Sequence, residues 1–236
     1  MGLLKNLALS SILLSGSAVA ADWSNTSISL LSGTDYVNPF GEDYDQTIIT
    51  FEHVSGWTYG DNFFFVDVEK ADTKDDQSMY LEWNPRFSYN KIMGQQSDGL
   101  VADFGIAAQI NIPVGFRRIY LYGFYVDLKI PGFNFFQSHF YVRDDLSVEG
   151  TGFQVTLVWG LNIIDKLSFG GFLDYAGEEG DDTGKKEANL LMQPQLLYQV
   201  TKEIALGVEF QYWDPKLAVK DADTEQVPQA MIRWTL

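Results

Sequence analysis

Between residues 79 and 92 the chain reads MYLEWNPRFSYNKI. Met79, Leu81, Trp83, Pro85, Phe87 and Tyr89 share one parity; Glu82, Asn84, Arg86, Ser88 and Asn90 share the other. A side-chain period of two is that of a β-strand whose faces meet different surroundings. The same alternation sets Phe153, Val155, Leu157, Trp159 and Leu161 against Gln154, Thr156, Val158 and Gly160. It sets Tyr120, Tyr122, Phe124, Val126, Leu128 and Ile130 against Leu121, Gly123, Tyr125, Asp127 and Lys129. At 204–213, Ile204, Leu206, Val208, Phe210 and Tyr212 oppose Glu209 and Gln211.

Carried along the chain, the pattern predicts twelve strands, near 23–33, 46–55, 62–70, 78–89, 100–111, 118–130, 134–143, 152–161, 166–176, 188–200, 204–213 and 227–236. Their lengths suit a tilted strand crossing a hydrocarbon layer, which takes about 9–11 residues. The connections differ by side. Those at 56–61, 131–133, 162–165 and 201–203 are short, whereas DYVNPFGEDYD, ADTKDDQ, RDDLSVEG, GEEGDDTGKKE and DPKLAVKDADTEQ are long and acidic. The linker at 90–99 is long for its side and that at 113–115 short for its side. Short turns at one end and long loops at the other describe an up-and-down barrel of an outer membrane. A soluble sandwich needs its polar face in bulk water. A dozen strands with bulky faces on one side and ionisable faces on the other fit a closed wall between lipid and a wet bore. Pro85 and Pro194 fall inside predicted strands and are expected at bulges or ends, because each removes a ladder hydrogen bond.

The termini agree. Met1–Lys5 is a short basic start, Leu7–Leu14 an apolar stretch, and Ala18-Val19-Ala20 a small-residue cleavage site. This is the form of a secretory signal peptide at 1–20, leaving 21–236 as the barrel. At the other end, PQAMIRWTL places Pro228, Ala230, Ile232, Trp234 and Leu236 on one parity. Such a terminal strand resembles the signal read by the barrel-assembly machinery, although those signals usually end in Phe.

Composition narrows the picture further. The chain has no cysteine, 15% aromatic residues and a net charge of −16. That charge argues against a nucleic-acid partner, since phosphate binding needs basic patches. After the leader there is no apolar run long enough for a transmembrane helix. The location expected is the outer membrane of a Gram-negative bacterium, among lipid and lipopolysaccharide.

Twelve strands lie between eight, whose interior side chains fill, and sixteen, which leave a wide channel, so a narrow lumen is expected. Inward parity offers Asp67, Glu69, Glu82, Asn84, Arg86, Asp103, Gln109, Asn111, Tyr125, Asp127 and Lys129. It continues with His139, Tyr141, Arg143, Gln154, Asp174, Gln193, Gln195, Glu209, Gln211 and Arg233. Phe63, Phe65, Phe172 and Trp213 add aromatic plates to the same face. An alternative for the charges is that pairs such as Glu82 and Arg86 neutralise one another and stiffen a plugged bore. The two histidines, His53 and His139, suit strand positions better than catalysis, and Ser138 and His139 point to opposite faces. An enzyme is therefore not expected.

The segments TFEHVSGWTYGDNFFFVDV (50–68) and LEWNPRFS (81–88), with YGFYVDLKIPG and FQYWDP, resemble the nucleoside-specific channel family known as Tsx, in particular its OmpK-like branch. The resemblance implies a twelve-stranded, monomeric outer-membrane barrel that passes nucleosides, whose loops in some members serve as phage or colicin receptors. Glu52, Asp67, Glu82 and Arg86 fall on charged positions of the family's first strands, and Asn84 stands where the family carries an acidic residue before Pro-Arg-Phe. The solute-contacting residues expected are Glu52, Phe63, Phe65, Asp67, Glu82, Asn84, Arg86, Tyr125, Asp127, Arg143, Glu209 and Arg233. Aromatic faces stack on a base at about 1–3 kcal/mol each, while carboxylates and amides take ribose hydroxyls. Weak binding at several stations, with no cofactor and no energy input, is what permeation requires. Two other readings compete: a receptor or adhesin for phage or host surfaces, and a small porin without specificity.

Overall fold

Every stretch of two-residue alternation forms a strand. The computed structural model describes residues 21–72, 77–181 and 184–236. The expected leader at 1–20, residues 73–76 of one acidic loop and 182–183 of another lie outside the described residues. In chain order the elements are β1 (Trp23–Tyr36), β2 (Tyr44–Trp57), β3 (Gly60–Ala71), β4 (Ser78–Ser88), a helical turn α1 (Tyr89–Met93), β5 (Val101–Pro113) and β6 (Ile119–Leu128). There follow β7 (Phe135–Asp145), β8 (Gly152–Ile164), β9 (Leu167–Ala176), β10 (Glu179–Asp181), β11 (Gly184–Lys186), β12 (Asn189–Gln199), β13 (Ile204–Asp214), a 3-10 turn at Lys216–Ala218, and β14 (Glu225–Thr235). Twelve of these strands form a closed antiparallel barrel in which β14 returns to β1; β10 and β11 pair only with each other, as a hairpin between β9 and β12. The closing ladder runs from Ser27 opposite Thr235 to Ser32 opposite Ala230. Closure gives the backbone donors and acceptors of every barrel strand a partner strand on both sides, the condition for crossing lipid.

Among the described residues no helix is long and apolar enough to cross a membrane. Crossing is done by strands of 10 to 14 residues. Their outward faces are apolar and exposed, as at Met79, Trp83 and Phe87 on β4 and at Ile204, Leu206 and Val208 on β13. Aromatic residues gather on the outer surface at both ends, the girdle pattern of membrane barrels. Trp57, Phe87, Tyr89 and Phe104 lie at the short-turn end, where Trp57 meets Phe87 at 5.4 Å and Tyr89 stacks on Phe104 at 4.6 Å. Tyr122, Phe153 and Tyr175 mark the long-loop end.

Three local features depart from the alternation. Pro85 and Pro194, expected at bulges or strand ends, sit mid-strand opposite Asn62 and Gly171 on one side, while on the other side the ladder skips 84–85 and 193–194 without a shift of register. Gly171 accommodates Pro194 with a φ of 144°, where a Cβ would come within 2.4 Å of the Gln193 carbonyl oxygen. Register shifts instead fall in β5 between Val101 and Asp103, in β8 between Asn162 and Ile164, and in β1 between Gly33 and Tyr36, where Asp35 has a φ of 63°. The shift in β1 inserts one residue and turns Tyr36, which parity alone places outside, into the bore. Finally, the linker after β4 begins with α1, capped by the Ser88 hydroxyl accepting from the Lys91 amide and ended by Gly94 in the left-handed conformation. Those caps are the usual helix-boundary devices.

Candidate permeation site in the bore

Strand pairing places the inward residues in rows across the wall. On β2, β3 and β4 one row reads Glu52, Phe65, Glu82, with Asn111 of β5 continuing it. The next row towards the short turns brings Phe63 beside Asn84, and the next towards the long loops sets Thr50, Asp67 and Tyr80 side by side. The rings of Phe63 and Phe65 lie 5.9 Å apart, and Phe65 and Tyr80 5.8 Å apart. A stair of aromatic faces thus climbs one side of the bore with a carboxylate at each flank.

The charges are not arranged as a Glu82–Arg86 pair. Arg86 donates from Nε and Nη2 to the two oxygens of Asp61 at 2.7 and 2.8 Å, and from Nη1 to Asp127 at 2.8 Å. Its guanidinium lies 4.2 Å from the centre of the Tyr125 ring, and the Tyr125 hydroxyl donates to Asp103 at 2.8 Å. Five expected or neighbouring polar groups of β3 to β6 are therefore fastened together near the short-turn end. Glu82 instead accepts from the Tyr80 hydroxyl and from Gln109 Nε2, the latter at 3.0 Å. Gln109 Oε1 takes one proton of Asn84 Nδ2 at 3.0 Å, and the Tyr141 hydroxyl takes the other at 3.1 Å. His139 Nδ1 meets that hydroxyl at 2.7 Å.

Glu209, on the opposite side of the barrel, accepts from Gln195 at 2.5 Å and from Gln229 at 3.0 Å. Arg233 donates to Ser29 and to Gln195, at 3.2 and 2.9 Å. Between these polar networks the bore carries an aliphatic patch of Leu31, Ile48, Leu197, Ala205 and Met231. Of the expected inward residues, Lys129 alone leaves the bore; it is exposed at the rim and donates to the Ser97 carbonyl.

At the long-loop end two loops fold inward, which alternation could not indicate. The β10–β11 hairpin buries Glu179, which pairs with Arg143 and accepts the Asp145 amide at 2.6 Å; Lys186 of the same hairpin pairs with Asp145. Across the mouth, Lys216 of the 3-10 turn is buried against Glu225 and lies 4.4 Å from the centre of the Trp213 ring. Burial holds this ammonium below the usual lysine range, and the Glu225 carboxylate opposes the shift. Tyr36 completes the side by donating to Gln229 at 2.8 Å. At the short-turn mouth a cleft of about 580 Å³ is lined by Ser88, Asn90, Lys91, Asp103 and Lys129 among others.

A closed barrel with lipid-compatible outer faces and a narrow, polar, aromatic-studded bore is a channel-forming membrane barrel. Residues 20–234 match the family described as nucleoside-specific channel-forming protein, Tsx, and the chain belongs to that family. It is an outer-membrane channel. Among solved structures, the KdgM porin in complex with disordered oligogalacturonate aligns with a TM-score of 0.53 at 10% identity, covering 88% of this chain and 98% of that one. The KdgM porin alone gives 0.52 at 11% identity over the same shares. At such identities the likeness concerns the fold. Comparison with curated proteins finds no match.

Proposed function

We propose that the chain is a passive channel selective for nucleosides, which move down their gradient from the long-loop end to the short-turn end. Family membership supports this reading, and one observation carries it in the molecule: Phe65 stands between Glu52 and Glu82, with Phe63 and Tyr80 as adjoining rings. A nucleoside joins a flat base to a ribose rich in hydroxyl donors. The ring faces take the base, and the flanking carboxylates, with Asp67 one row away, accept the hydroxyls. The stations are shallow and successive, so the solute passes rather than lodges. The mature barrel is 21–236 after removal of the leader, works as a monomer as family likeness implies, and sits among outer-membrane lipid and lipopolysaccharide. In proteoliposomes, nucleosides should enter faster than sugars of similar size. Equal rates would reduce the protein to a general small porin.

A second role, as a surface receptor, has its own observation. Phe40 and Phe116 stand 79% and 82% exposed in the connections at the long-loop end. Deleting those loop tips should abolish phage or host attachment while leaving solute flux intact if this role holds.

A further inference from the structure

The cations of the bore and its mouth are committed to only some of the carboxylates. Arg86 is matched with Asp61 and Asp127, Arg143 with Glu179 and Asp145, and Lys216 with Glu225. Among the described residues several inward carboxylates have no such partner and accept from neutral groups, Glu69 from Ser78 and Asp103 from Tyr125 among them. Asp67 accepts from Thr50, Glu82 from Tyr80 and Gln109, Asp174 from Thr156, and Glu209 from Gln195 and Gln229. Arg143 is held by Glu179 and Asp145, and Arg233 by Ser29 and Gln195.

Two of these carboxylates stand at the ends of one run of inward groups. From Glu82 on β4 the hydrogen bonds run through Gln109, Asn84 and Tyr141 to His139, and His139 stands opposite Thr156, which donates to Asp174 on β9. The cluster that links them holds two buried atoms without a partner, Asn84 Oδ1 and His139 Nε2. His139 is 3% exposed, and its other nitrogen is fixed on Tyr141. The orientation of Asn84 is set by its neighbours: Glu82 requires the Gln109 amide nitrogen, so Gln109 presents its oxygen to Asn84, which must answer with nitrogen. The free atom of Asn84 is therefore an acceptor. Two carboxylates without a cationic partner and an unanswered amide oxygen form an acceptor-rich stretch of the bore, which attracts cations and repels anions. Among the described residues no three metal-ligating side chains converge into a chelating group. The array thus suits a passing, partly hydrated monovalent ion rather than a resident divalent metal.

We infer that the bore conducts small inorganic cations in preference to anions, with Glu82, Asn84 and Asp174 as the selecting station. The inference does not depend on which organic solute the channel carries. It is tested on the whole barrel in planar bilayers, by the reversal potential under a potassium chloride gradient. The wild-type channel should favour potassium over chloride, and Glu82→Gln with Asp174→Asn should reduce that preference by about 5-fold, the order of one close charge interaction in a wet site. Asn84→Asp, which adds a charge to the station, should raise it, and this variant decides the matter should the double variant not assemble. Glu149→Gln, in an exposed loop, should leave it unchanged. A wild-type channel that is unselective or prefers chloride overturns the inference. So does a double variant with undiminished selectivity, an unmoved or lowered ratio in Asn84→Asp, or a loss in Glu149→Gln equal to that of the double variant. Nucleoside flux, measured separately, leaves these outcomes unaffected.

Discussion

Glu82 and Arg86 stand four residues apart on one face of β4, about 13 Å along an extended strand. At that spacing they cannot meet, so each is served by residues from other strands, and their fates diverge. Arg86 is the keystone of a buried cluster with Asp61 and Asp127, at 2.7 and 2.8 Å. Removing one partner of such a cluster strands the others, at a cost of about 3–5 kcal/mol. Arg86→Ala is therefore expected to lower the unfolding midpoint in urea sharply, whereas Glu82→Gln, whose partners are neutral, should shift it little; equal midpoints for Arg86→Ala and wild type would contradict the clamp. At Phe65 the expected effect falls on the solute. Phe65→Ala should weaken nucleoside block of the ion current by about 1–3 kcal/mol, the worth of one base–aromatic stack, while Phe65→Tyr retains it. If Phe65→Ala leaves the block constant unchanged, the ring does not touch the base.

Elements differ in how openly the sequence announces them. The twelve barrel strands were legible because lipid outside and water inside impose opposite chemistry on alternate residues, and few strands break the rule. The inward set offered by the same parity included Asp67, Glu82 and Arg233, whereas Glu52 came from the family resemblance and the row around Phe65 emerges only from the strand pairing. Two kinds of residue escaped. Tyr36 enters the bore through a bulge at Asp35, a single inserted residue that parity cannot reveal. Glu179 and Lys216 enter on loops, where no period exists, and their burial depends on partners in neighbouring strands, Arg143 and Glu225. The hairpin β10–β11 is thus an element held by tertiary contacts rather than by its own pattern. Glu179→Gln should release it: limited proteolysis at 176–189 should quicken and single-channel conductance should rise. Unchanged cleavage and conductance would show that the Arg143 contact does not restrain the hairpin.

At the scale of the molecule, one layer of residues separates acyl chains from a wet bore. Its outer surface is apolar with an aromatic girdle at each end, and its closure at β1 and β14 leaves no edge. The bore is narrowed by polar networks that cross between strands, by an aliphatic patch on the β1–β2–β12–β13–β14 side, and by two loops tucked into the long-loop mouth. The proposed solutes are small, partly flat and able to donate hydrogen bonds to carboxylates. Single-channel current recorded from the purified barrel, while purine and pyrimidine nucleosides are titrated from the long-loop side, tests this claim at its centre. Nucleosides should reduce the current in a graded, saturable way at concentrations where sugars of similar size leave it untouched; identical titration curves for the two solutes would contradict it.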